Sequence, residues 1–163
     1  MTTEQIIERL EEQEEVLQFS HFTNTDAWDL GIAIVEEARF RGFKPAISIR
    51  LNNGYIVFQY GFDDTGLDHE HWMQRKVNLT MVKQMSSLKA KAILESQQLT
   101  LETWFLPESE YSTCGGAFPI RVRGVGMIGS IVASGILVVL DHDLVIGGIC
   151  RYLGLDSVPR VLD

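Results

Sequence analysis

Apolar residues recur every three or four positions in several stretches of the chain, which is the spacing of helices that bury one face. The pattern predicts helices over 3–17, 26–41, 68–98 and 141–153, with a break in the third near Ser86-Ser87. Gly42 and Gly154 follow the second and fourth stretches, and glycine is a common residue just after a helix end. The sequence therefore predicts four helical regions.

Two further stretches carry the shorter alternation of strands, and each contains a turn. Asn53-Gly54 is a two-residue hairpin turn, because both of its central positions need positive φ. It joins predicted strands over 46–51 and 55–60, and glycines join a second predicted pair over 118–123 and 126–134. Because strands joined as hairpins are antiparallel, the sequence predicts an α+β fold with helices packed on an antiparallel sheet.

The same patterns assign individual side chains to buried faces and to helix ends. We expect Trp28 and Ile32 on the buried side of the second helix and Val82 on that of the third. Asp68 and Asp141 stand at the start of helical stretches. We expect them to be N-caps, because a carboxylate can accept from the free N–H groups of a first turn.

Length, composition and charge limit the class of the protein. The chain has 163 residues, 45% of them hydrophobic, which suits a single domain over 1–163. Its net charge of −8 argues against nucleic acid and anionic membranes as partners, since these bind clustered Lys and Arg. The uncharged run 124–140 contains glycines and β-branched residues, which favour a buried strand over a membrane span.

The two cysteines, Cys114 and Cys150, each stand alone and form no disulfide framework. The N-terminal segment is acidic and polar, unlike a signal peptide. Together these features indicate a reduced, cytoplasmic protein. Cys150 lies in an apolar stretch, where a thiol is expected to act as a packing residue.

The segment 113–135 carries the main candidate binding chemistry. Cys114 precedes Gly115-Gly116, and paired glycines allow backbone N–H groups to approach an anion. Arg121 follows on the next predicted strand. The alternative is a tight turn into a hairpin whose arginines lie in solvent. A nucleophilic role for Cys114 would need a base nearby, and no motif of a cysteine enzyme is present.

A second group of polar residues lies in the predicted helix after Asp68. His71 shares a helix face with Arg75, and Trp72 shares one with Lys76, because residues four apart are neighbours. Such a face could hold a carboxylate or phosphate, with Arg as a bidentate fork and Lys as a point charge. Ordinary surface charge is the alternative.

The histidines are weak candidates for metal binding. His69 and His71 are two apart, so on a helix they point away from each other. His142 stands between Asp141 and Asp143, far away in the sequence. No dedicated metal site is therefore predicted.

Five segments, taken as a set, resemble the haem-degrading-domain family: CGGAFPIRV, GMIGSIVASG, DHDLV, HEHWMQRK and HFTNTDAWDLG. That family includes GlcG-type proteins and the C-terminal domain of PduO-type corrinoid adenosyltransferases, and many of its members have no assigned activity. The resemblance covers about residues 5–155. It implies a profilin-like fold, with an antiparallel sheet of about five strands between helices, and a homo-oligomer larger than a dimer. For some relatives it implies haem or another tetrapyrrole as ligand.

Three functions follow as hypotheses. The first is a homo-oligomer that binds a small anionic ligand, with haem or another tetrapyrrole as a candidate. The residues expected to donate to the ligand, balance its charge or line its wall are Cys114, Gly115, Gly116, Arg121, Arg75, Lys76, His71 and Trp72. The second is a haem-degrading or other oxidative enzyme, with His69, His71 or His142 as iron ligand. The third is a scaffold without a ligand.

Overall fold

Five α-helices and four strands form the described part of the computed structural model, residues 1–156 and 158–162. The helices are α1 (Thr3–Val16), α2 (Asn24–Arg41), α3 (Leu67–Lys83), α4 (Ser87–Ser96) and α5 (Val138–Leu153), with a 3₁₀ turn at Leu101–Trp104. The strands are β1 (Ala46–Leu51), β2 (Ile56–Gly61), β3 (Ala117–Val122) and β4 (Gly126–Ser134). Both predicted hairpins and the helix break near Ser86-Ser87 are confirmed.

The four strands form one sheet in the order β2-β1-β4-β3, with every neighbouring pair antiparallel. At the outer edge of β3, Phe19 adds a single bridge beside Val122. Its amide donates to the Arg121 carbonyl, and its own carbonyl accepts from the Arg123 amide. The described residues thus contain four strands where about five were expected. The segment between α1 and α2 does not become a fifth, because it pairs at one residue only.

One face of the sheet packs against α2 and α5 and forms the larger apolar core. Ile47, Ile49 and Ile131 point to this face from the two central strands and are fully buried. Gly148 of α5 lies directly against α2, where a Cβ would come within 2.4 Å of the Ile34 side chain. The glycine therefore lets the two helices pack closely.

The opposite face of the sheet is covered by α3, so helices lie on both faces as predicted. Met73 and Val77 of α3 pack on the small or branched side chains of Ala46, Ala117 and Val132. This apolar patch is smaller than the core on the other face.

A buried arginine occupies the rest of the α3 interface. Arg50 of β1 is 2% exposed, and its guanidinium lies 2.6 Å from a carboxylate oxygen of Glu70 on α3. It also donates to Ser48, Gln59 and Gln74. Since a buried charge is costly unless it is paired and hydrogen-bonded, this network fixes the position of α3 on the sheet.

Three side chains that were expected in the core are exposed instead. Trp28 is 60% exposed, and Ile32 and Val82 also lie at the surface. The ring of Trp28 packs against that of Phe58 at the sheet edge formed by β2, with the two ring centres 5.9 Å apart. The prediction failed because a wide apolar stripe on a helix does not indicate which part of it meets the sheet.

The predicted N-caps of α3 and α5 are also wrong. α3 begins after Gly66 and α5 after Leu137, and neither residue caps its helix with a side chain. Asp68 and Asp141 lie inside the first turns. The Asp141 carboxylate accepts from the Ile136 amide at 3.0 Å, and so it fixes the connection that leads into α5.

Among the described residues, no helix has the length and apolar character needed to cross a bilayer. The uncharged run 124–140 forms β4, a short connection and the start of α5.

Candidate functional site

A cleft of about 390 Å³ opens where α3 and α5 begin and β4 ends. This volume lies in the range of pockets that hold small molecules. Of the predicted binding residues, the cleft brings together Trp72, Lys76 and Cys114. The described residues that line it are Asp68, His69, Trp72, Lys76, Cys114, Ser134, Gly135, Ile136, Leu137, Val138 and Asp141.

Lys76 and Asp141 form a buried ion pair at the floor of the cleft. Their side chains are 3% and 5% exposed, and Lys76 Nζ lies 3.2 Å from Asp141 Oδ2. The ammonium also donates to the Ala133 carbonyl at 3.0 Å. Burial raises the pKa of Asp141, although the charge of Lys76 opposes this rise. Within the described residues, partners occupy two of the three N–H groups of Lys76, which leaves one for a ligand.

His69 presents a hydrogen-bond donor to the cleft. Its Nδ1 accepts from the Gly66 amide at 3.1 Å. A ring nitrogen that accepts carries no proton, so the imidazole holds its proton on Nε2. The Nε2 edge lies against Gly135, where a Cβ would come within 3.2 Å of that nitrogen. The missing side chain at Gly135 therefore leaves this N–H group accessible.

Gly115 and Gly116 lie behind the ion pair and are buried. A Cβ on Gly115 would lie 2.1 Å from the Val138 carbonyl oxygen, and one on Gly116 would lie 2.3 Å from that of Ala133. Gly116 also has a φ of +133°, a backbone conformation that residues with a side chain rarely adopt. The glycines thus permit a close approach of the chain to α5 and β4. Donation from their amides to a ligand stays a prediction.

Arg75 stacks on Trp72, with its guanidinium carbon 4.5 Å from the centre of the indole ring. The same guanidinium donates to the carbonyls of Glu108 and Tyr111. Together with His71, Arg75 lines a separate surface depression. The structure therefore brings neither Arg75 nor His71 into the cleft, although Arg75 helps to hold the indole in place.

Arg121 is remote from the cleft. It lies five residues along the chain from Gly116, a distance of about 16 Å in a strand. Its guanidinium lies 3.2 Å from the buried carboxylate of Glu14 and also donates to the Gln84 carbonyl. Glu14 accepts from the Ser86 amide at 2.8 Å. Arg121 thus connects β3 to α1 and to the link between α3 and α4.

His142 is enclosed in the core, with 1% of its surface exposed. Its Nε2 lies 2.8 Å from Gln13 Oε1, and the Gln13 amide nitrogen donates to the Pro159 carbonyl. The Gln13 oxygen must therefore accept, and His142 carries its proton on Nε2. The three weak metal candidates, His69, His71 and His142, do not converge. Nowhere in residues 1–156 and 158–162 do three metal-binding side chains form a group.

Among the described residues, depressions of about 460 and 500 Å³ are larger than the cleft, but their chemistry is less suited to a ligand. At the first, ionisable side chains such as Glu37 and Arg151 are paired with each other. The second lies beside the turn at Asn52-Asn53 and has no ionisable side chain among its described lining. The cleft at the start of α3 and α5 is therefore the better candidate.

Sequence reasoning missed Asp141 as part of the floor and His69 as a donor. A signal for Asp141 was present, because a carboxylate next to the apolar run 136–140 needs a partner when it is buried. Its partner Lys76 is 65 positions away, and no local pattern indicates that pairing.

Comparison with known proteins gives the same fold. A family model described as "Haem degrading protein HbpS-like" matches residues 22–150. The chain belongs to this family. Its α+β fold, with an antiparallel sheet between helices, agrees with two solved structures. The structure of HbpS has a TM-score of 0.64 at 19% identity, and the match covers 80% of this chain and 89% of that one. The structure of a PduOC:heme complex has a TM-score of 0.67 at 20% identity, and the match covers 80% of this chain and 94% of that one. At these identities the likeness concerns the fold alone.

Two relatives and one solved structure match nearly the whole chain. The UPF0303 protein of Serratia proteamaculans is 37% identical over 162 residues, covering 99% of both chains. The UPF0303 protein YE1367 of Yersinia enterocolitica is 32% identical over 158 residues, covering 96% of this chain and 94% of the relative. The crystal structure of the Ybr137w protein has a TM-score of 0.84 at 27% identity, with 95% and 94% of the two chains covered.

Proposed function

We propose that this protein is a cytoplasmic homo-oligomer that binds a small anionic ligand in the cleft, with haem or another tetrapyrrole as a candidate. The observation that carries the proposal is the pair of N–H donors, from Lys76 and His69, beside the Trp72 indole. Such donors suit the oxygens of a carboxylate. The indole offers a planar apolar surface to the rest of the ligand.

The two helix starts offset the negative charge of the side chains that line the cleft. Lys76 contributes one positive charge, and Asp68 and Asp141 contribute two negative ones. α3 and α5 both begin at the cleft, and each helix start adds roughly half a positive charge. The sum is about zero, so the lining carries no net charge that would repel an anion. The exposed position of Asp68 further weakens its repulsion, because water and salt screen it.

The comparisons support a tetrapyrrole as the candidate ligand. The matching family is described as haem degrading, and one similar structure is a complex of PduOC with heme. Tetrapyrroles of this kind carry carboxylate groups on a flat apolar ring. Because the cleft is open to solvent, a ligand larger than its volume can project from it.

A thermal-unfolding titration tests the proposal. A ligand that binds only the folded chain stabilises it by about 2.7 kcal/mol at a concentration of 100 Kd. The titration compares hemin, protoporphyrin, simple carboxylates and phosphate. Trp72→Leu is expected to reduce the rise in Tm that a bound ligand causes. Trp104→Leu, outside the cleft, is the matched control. A Tm that none of these compounds changes would contradict ligand binding and favour the scaffold hypothesis.

Oxidative breakdown of haem is a second candidate function, supported by the description of the family. It requires O2 and a reductant. The Soret band formed with hemin should then decay when ascorbate and O2 are supplied together. A band that persists under these conditions would argue against this activity and leave ligand binding in place.

Self-association is proposed at the surface formed by α2 and β2. Trp28, Ile32 and Phe40 are exposed apolar residues of α2, and Phe40 is 81% exposed. β2 is an edge strand whose Tyr60 is 39% exposed, and apolar edge strands readily pair with another chain. Sedimentation should show a lower mass for Trp28→Glu/Phe40→Glu, but an unchanged mass for Phe105→Glu. A monomeric wild-type protein would refute the oligomer.

A further inference from the structure

We infer that the cleft recognises its ligand through carboxylate oxygens and not through a bond from a histidine to a metal ion, so that a porphyrin without iron binds as tightly as its iron complex. This inference rests on the proposed function and specifies which part of the ligand is recognised. The argument is the direction of the hydrogen bonds made by the side chains that line the cleft.

His69 is oriented as a donor and not as an iron ligand. A histidine that binds a metal through Nε2 usually donates from Nδ1 to a carboxylate or carbonyl. Here the direction is reversed, because the Gly66 amide donates to Nδ1 at 3.1 Å. The lone pair needed for iron is therefore replaced by an N–H group. To expose that lone pair, the ring would have to give up its bond at the start of α3.

The remaining histidines do not reach the cleft. His142 is 1% exposed and bound to Gln13 inside the core. His71 lines a different depression. His21 lies just before α2, where its ring contacts Asp26 at 2.9 Å. All four histidines of the sequence are thus accounted for, and none offers a free nitrogen lone pair to the cleft.

The lining of the cleft includes two donors for carboxylate oxygens. The third N–H of Lys76 is held in position because its other two bind Asp141 and Ala133. His69 Nε2–H is held by the bond from Gly66. Both donors are fixed before a ligand arrives, so little side-chain freedom is lost on binding. The affinity should then depend on the carboxylates and not on the centre of the ring.

The experiment measures tryptophan quenching and Soret spectra with three probes: protoporphyrin IX, hemin and protoporphyrin dimethyl ester. We expect the first two to bind with Kd values within threefold of each other. The ester, whose carboxylates are blocked, should bind at least tenfold more weakly. His69→Phe removes the donor and should weaken both acids by the same factor, about tenfold for a hydrogen bond to a charged group. His71→Phe is the matched control.

The outcomes separate this inference from the proposed function. Hemin that binds at least tenfold more tightly than protoporphyrin, or a Soret band that His69→Phe or Cys114→Ser shifts, would overturn the inference but leave haem binding intact. Equal binding of the ester would also overturn it. If neither porphyrin binds, both this inference and the proposed tetrapyrrole ligand are wrong.

Discussion

A buried neutral histidine should make the stability of this protein fall in mild acid. Burial in the core lowers the pKa of His142 to about 4, and the Arg160 charge acts in the same direction while Asp143 opposes it. The ordinary value of 6.5 applies once the chain unfolds. The unfolded chain therefore takes up a proton between pH 6.5 and pH 4 that the folded chain does not.

The sign and size of the effect follow from these two pKa values. The stabilisation is fully present above pH 6.5 and is lost as the pH falls towards 4, because protonation then favours the unfolded state. One pKa unit corresponds to about 1.4 kcal/mol, so the complete loss is about 3 kcal/mol. About 2 kcal/mol of it should be lost between pH 7 and pH 5.

Urea unfolding at pH 7, 6, 5 and 4 measures this loss when wild type is compared with His142→Gln. The glutamine keeps an N–H donor for Gln13 and does not titrate. Subtracting the variant's free energy of unfolding from that of wild type cancels the contributions of the other titrating groups. These include Asp141, whose raised pKa makes the stability change with pH in the opposite direction. His71→Gln, at an exposed position, is the control. Wild-type and His142→Gln curves that stay parallel to within about 0.5 kcal/mol would refute the reasoning.

Three further substitutions test other parts of the structure. In chemical denaturation, Glu14→Ala should lower the free energy of unfolding by about 3 kcal/mol, since it leaves buried donors unpaired. Glu15 is exposed, and Glu15→Ala should change this free energy by less than about 0.5 kcal/mol. Gly116→Ala should lower the free energy of unfolding by more than about 3 kcal/mol, because the added Cβ meets the main chain and the positive φ is strained. Gly66→Ala, where the Cβ meets open space, should lower it by about 1 kcal/mol or less. Equal Tm values for the two variants would contradict this. Arg50→Ala should destabilise by about 3 to 5 kcal/mol, and a urea midpoint like that of wild type would show that the Arg50 network does not hold α3.

Part of the candidate site could be predicted from the sequence. Lys76, Trp72 and Cys114 were selected from helical spacing and from the Gly-Gly pair, and the cleft contains all three. Arg121 and Arg75 were selected by residue type, but both guanidiniums bind main-chain carbonyls elsewhere. Residue type and spacing indicate which side chains share a face. They do not indicate where that face points.

The sequence by itself determined the hairpins, most helix ends and the antiparallel α+β fold, because these depend on φ preferences and apolar spacing over a few residues. The tertiary structure decided how distant polar groups pair. Asp141 meets Lys76 and Glu14 meets Arg121 only after α3 and α5 have packed on the sheet and α1 has packed against α4. A buried charge takes whichever partner the fold brings close, and that partner can lie anywhere along the chain.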